Sequence, residues 1–85
     1  MMMCSYPEFR ERIVNMIRNK VQTGYYQELQ LRVLNVADDL LYQTGNSSIE
    51  SYRNCIFEAI RLSEFPSLLF GLHSIVNEVY SSVKK

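Results

Sequence analysis

Apolar residues recur three and four positions apart through most of this chain, the spacing of helices that each bury one face. Phe9, Ile13, Met16 and Ile17 make the first stripe. Ahead of it, Ser5 and Glu8 have the S-x-x-E spacing of a capping box, and Pro7 suits a first turn, where its missing N–H has no partner to lose. The pattern predicts a helix over 6–22. Thr23-Gly24 then interrupts it. Gly24 either closes that helix in the left-handed conformation or lies inside one longer helix.

The stretch 25–44 predicts a second helix, with Tyr26, Leu29, Val33, Val36 and Leu40 as a seam alternating three and four apart. Glu28, Arg32, Asn35, Asp39 and Gln43 form a narrow polar stripe. Leu31, Leu34, Leu41 and Tyr42 lie off the seam and are apolar too, so this helix needs cover on more than one side. Gly45 fits the residue just past a helix end, and Ser47 with Glu50 repeats the capping-box spacing. A third helix over 48–63 follows, with Ile49, Tyr52, Ile56, Ala59 and Ile60. Phe65, preceding Pro66, is disfavoured from the α region and marks a break. Leu69, Leu72, Val76, Val79 and Val83 predict a fourth helix over 67–83. No strand-like alternation competes. The fold class expected is all-α, a small antiparallel bundle of three to four helices in a single domain, 1–85.

The surplus apolar residues change the picture. Leu31, Leu34, Tyr42, Phe57 and Phe70 fall outside the principal seams of their helices. Burying one such side chain gains roughly 1.5–3 kcal/mol, so several rival the ~5–15 kcal/mol stability of a domain. One reading packs them into a wide-faced monomeric core. The other, preferred here, is a homodimer through the second helix, with Asp38 at the rim between Leu34 and Tyr42.

Composition narrows the function. The chain has 85 residues, 47% hydrophobic and 21% charged, with nine Lys+Arg against nine Asp+Glu. That is globular, and it advertises no polyanionic partner. Arg10, Arg12, Arg18 and Lys20 scatter around the first helix at about 100° per residue, so they make no nucleic-acid stripe. Cys4 and Cys55 are no disulfide framework, and free thiols suit a reducing cytoplasm. No apolar h-region opens the chain and no apolar run approaches the ~20 residues that span a bilayer, so a cytoplasmic protein away from the membrane is expected. His73 is the lone histidine, at the border of its seam. Asp38 and Asp39 diverge by about 100° on a helix, read as two solvated acids. Neither catalytic, metal nor cofactor-binding residues are expected, and the chain is read as a non-enzyme.

The run Val33-Leu34-Asn35-Val36-Ala37-Asp38-Asp39-Leu40-Leu41, followed by Thr44-Gly45-Asn46-Ser47, resembles the small AriR-type proteins of enterobacteria, connector proteins linked to biofilm formation and acid resistance. Those show a V-L-x-x-A-x-x-x-L run, a short Gly/Asn turn, an Ile/Leu helix and a last amphipathic helix. Ile49, Ile56, Ile60, Ser63-Glu64 and Ile75-Val76 fall on that pattern, and the likeness spans about residues 17–80. It departs at Ile60-Arg61, where the family often has Leu-Glu, and at Pro66, which has no counterpart. The resemblance implies a dimeric helical protein without enzymatic activity, acting through contacts with signalling components such as a phosphorelay, in biofilm or stress regulation. It carries over no catalytic residue. Small bacteriocin immunity proteins share the size, the bundle and terminal lysines, here Lys84-Lys85. The leading expectation is therefore a regulatory or adaptor protein acting by helix-mediated contacts through Leu31, Leu34, Asp38, Tyr42, Phe57 and Phe70. An immunity-type binding protein is the second reading and a nucleic-acid-binding regulator the third.

Overall fold

The computed structural model describes residues 5–22 and 24–84, the last by its backbone only. Cys4, Thr23 and Lys85 lie outside them. Four helices run in order: α1 Tyr6–Lys20, α2 Gly24–Thr44, α3 Ile49–Leu62 and α4 Phe70–Lys84. No strand occurs among the described residues, so the all-α class holds.

Local chemistry sets the boundaries. The Ser5 hydroxyl accepts from the Glu8 N–H at 3.4 Å and starts α1, as its spacing predicts. At the other end, the Gln27 side-chain amide donates to the Val21 carbonyl at 2.7 Å, so α2 closes the last turn of α1. Helix α2 begins at Gly24, which makes α1 and α2 two helices rather than one. After α2, Gly45 takes φ +70°, the left-handed conformation that ends helices. The cap of α3 is Ser48, not Ser47: its hydroxyl accepts from the Ser51 N–H at 3.1 Å, while the Asn46 side chain accepts from the Ser48 N–H. The capping-box spacing therefore misplaced the start by one residue. Pro66 opens a 3-10 turn, Pro66–Leu69, before α4 starts at Phe70. The expected helix from 67 is shortened because the turn drops Leu69 into the core.

Helix α3 lies antiparallel along α2, and α4 packs mainly on α1. Phe9, Ile13, Ile17, Leu34, Tyr52, Ile56, Leu69, Leu72 and Val76 form the fully buried centre. The Cα envelope is only 15 Å deep on its shortest axis. That matches one interaxial spacing of about 8–10 Å plus a Cα radius of ~2.3 Å on each side. The bundle is two helices thick, so every helix keeps an outward face.

This geometry corrects the reading of α2. Its buried residues are Gln30, Val33, Leu34, Ala37 and Leu41, a stripe rotated from the predicted seam. Tyr26 and Val36 are exposed, while Leu29 and Leu40 sit at the border. Leu34 is not on a second flank; it is closed inside the monomer.

Candidate functional site

Three helices converge on Asp38, which was expected to be solvated. The Tyr52 hydroxyl, from α3, donates to its carboxylate at 2.7 Å and has the Leu34 carbonyl at 3.4 Å as a longer alternative. From α1, the Tyr6 hydroxyl donates at 3.2 Å and Arg10 Nε reaches both oxygens at 3.0 and 3.1 Å. The same guanidinium donates from Nη2 to Asn35 Oδ1 at 3.1 Å. Tyr6 and Arg10 share a face because they are one turn apart. Edge-to-face contact of Tyr6 and Tyr52, with centroids 4.7 Å apart, covers the group. Burial, then the Asp38 charge, raises the pKa of both tyrosines, through its field at Tyr6 and its hydrogen bond at Tyr52. Burial alone would weaken the Arg10 cation, but the Tyr52 and Asp38 oxygens outweigh it and raise its pKa. The cluster is satisfied internally: no buried polar side-chain atom in it lacks a partner. It clamps α1, α2 and α3. Asp39, by contrast, is exposed.

A second polar side chain, Arg53 on α3, is placed differently. Its guanidinium lies 4.6 Å from the Tyr80 ring centroid and 5.4 Å from that of Phe57. Phe57 in turn stacks on His73, 4.6 Å away and 10° from parallel. Helices α3 and α4 thus share an aromatic column that opens into a hollow of about 580 Å³ lined by Ile60, Pro66 and Phe70 among others.

A third surface lies on the other side of α3. Tyr25, Leu29 and Phe65 border one hollow with Glu28 and Arg32, and Tyr25 touches Tyr26 with centroids 5.4 Å apart. Val36 and Leu40 continue the same side of α2 by helical spacing. Leu40 borders a groove of about 620 Å³ with Cys55 and Glu58, and Leu62 extends that side of α3. Leu62 is 59% exposed and Phe65 50%. Burial raises the Cys55 thiol pKa, so it stays protonated and packs as a small hydrophobe.

The six residues expected at an interface do not form one surface. Leu34 is core, and Asp38 belongs to the clamp. Leu31 is half-buried against the core, and Tyr42 stands 88% exposed on the clamp side of α2. Phe57 and Phe70 border the α3–α4 hollow. The sequence reading missed Val36, Leu62 and Phe65 on the far side of α2 and α3, and it missed Arg53. The Arg53–Phe57 spacing of one turn was the available signal.

Among the described residues no group of three or more His, Cys, Asp or Glu could hold a metal ion. Likewise, no helix is long and apolar enough to cross a membrane. Compared with family models, curated proteins and solved structures, the chain finds no match.

Proposed function

We propose that this protein is a non-enzymatic adaptor or regulator that works by helix-mediated protein contacts, with a second copy of itself as the first partner. The observation that carries the reading is the α2–α3 outer face. Tyr25, Tyr26, Val36, Leu62 and Phe65 are all exposed there. Together they present roughly 500 Å² of apolar side chain, taking ~200 Å² for a whole aromatic side chain. A standard interface takes about 800 Å² from each partner, some 60% of it apolar, so this face is of the size a dimer needs. A two-fold interface must also tolerate itself. The ion pair at its centre, Glu28 with Arg32 at 3.5 Å, brings both signs rather than one.

The clamp supports the same reading from the opposite direction. Arg10 neutralises the Asp38 carboxylate, the two tyrosines donate to it, and together they hold the fold, which leaves the surplus apolar surface as the feature without a structural task. Such a mode of action suits a connector in bacterial signalling, as the AriR-type resemblance implies. Sedimentation velocity tests the proposal. At micromolar concentration the protein sediments as a dimer, and Leu62→Glu with Phe65→Glu sediments as a monomer of unchanged helicity. A wild-type monomer under those conditions contradicts it.

A further inference from the structure

Arg10, Arg12, Lys20, Arg32 and Arg61 each hold a carboxylate among the described residues. Arg53 holds none. Arg18 also lacks one, but it is exposed on α1, where water serves it. Arg53 is half-buried between the Tyr80 and Phe57 rings, and its Nε is buried without a hydrogen-bond partner. A guanidinium partly withdrawn from water with no counter-ion is complementary to a carboxylate that arrives with its own apolar surroundings. The α3–α4 hollow supplies the apolar counterpart, reached from Arg53 across the Phe57 ring, whose centroid lies 5.4 Å from the guanidinium and which lines the hollow. Phe70, at its mouth, is 69% exposed.

We propose that this groove docks an amphipathic helix from another protein, with apolar side chains in the Phe57–Pro66–Phe70 hollow and an Asp or Glu on Arg53. A trough between two helices matches the helix-in-groove mode of recognition, in which anchors one turn apart fill successive positions. Arg53 and Phe57 have that spacing on α3. A phosphate would also satisfy Arg53, but among the described side chains only Arg18, on α1, is a second cation without a carboxylate, and two cations on different helices make no track for a polyanion. The inference rests on the reading that this chain acts by protein contacts. It uses a separate face from the α2–α3 surface, so each can fail in its own assay.

The test uses the full chain and a labelled helical peptide of about four turns, with Leu along one face and Glu on its flank. Matched peptides carry Gln or Lys in place of Glu. Fluorescence anisotropy should show the Glu peptide binding about tenfold tighter than the Gln peptide, and the Lys peptide weakest. Arg53→Met should abolish that ranking without abolishing binding, and Arg53→Gln should do the same. Phe70→Ser should weaken all three peptides. Equal affinities in the wild type overturn the proposal, as does a Glu preference that survives in either folded Arg53 variant. Tighter binding of oligothymidylate than of the Glu peptide, or occupation of the groove by a second copy, overturns it as well.

Discussion

Arg10 and Arg53 are both half-buried arginines at helix–helix contacts, and they are completed in opposite ways. Arg10 finds a carboxylate, an amide and two tyrosines around it, drawn from three helices. Arg53 finds two aromatic faces and no acid among the described residues. The first arrangement is a closed account of donors and acceptors, so it specifies the fold. The second is open, and an open polar group beside an exposed apolar hollow is where a partner gains most. The difference teaches that clustering of polar residues alone does not mark a functional site. What matters is whether the cluster is already satisfied.

The comparison is broken most directly at Asp38. Asp38→Ala strands two hydroxyls and a guanidinium, each side chain of the Arg10–Asp38 pair being 28% exposed, and should cost about 3 kcal/mol in urea unfolding. A loss below about 1 kcal/mol would show that the clamp does not hold the helices. The next largest effect is alkaline. Tyr6 and Tyr52 have pKa values raised above the ordinary 10.0, so the folded state keeps protons that the unfolded chain releases. Their stabilisation is whole below pH ~10 and declines as pH rises toward the folded values, by up to about 1.4 kcal/mol per pH unit for the buried Tyr52 and by less for the more exposed Tyr6. Tyr52→Phe should be less stable at neutral pH and show a shallower alkaline decline. An unchanged slope would place the coupling elsewhere.

Smaller effects sharpen the other half. Gln30 is buried with its Oε1 unpartnered, beside Gly71, so Gln30→Leu should raise stability by up to ~1 kcal/mol. A loss instead would mean that its amide oxygen is satisfied in solution. Arg53→Met should change stability least, within about 0.5 kcal/mol, because it keeps the packing and removes a cation that has no counter-ion. A cost near that of Asp38→Ala would make Arg53 a structural residue and erase the contrast.

The helices were legible because each carries a dominant 3–4 periodicity and a recognisable stop. Gly45 and Ser5 act as their chemistry suggests. What the sequence left open was rotation. On α2, Val33 belongs to two stripes, Tyr26–Leu29–Val33–Val36–Leu40 and Gln30–Val33–Leu34–Ala37–Leu41, and the first is the more hydrophobic. The second is buried because it turns Asp38 toward Tyr6, Arg10 and Tyr52, a long-range gain across 28 to 32 residues on one side and 14 on the other. Local spacing carries no trace of it. Of the apolar residues on α2, Leu34 and Leu41 are closed inside the monomer, while Val36 is exposed and Leu40 half-buried against the core. The 3-10 turn was hidden for a similar reason, because Leu69 fits a helical stripe and a core-filling turn equally well.

The central claim is that the α2–α3 outer face, opposite the clamp side, joins two copies of the chain. Isotope-filtered NMR on a mixture of labelled and unlabelled protein measures this directly, because only contacts between copies give signals. The expected result is intermolecular contacts at Tyr25, Val36, Leu62 and Phe65, with none at Tyr42. Contacts at Tyr42 beside Asp38, or no intermolecular signals at millimolar concentration, would contradict it.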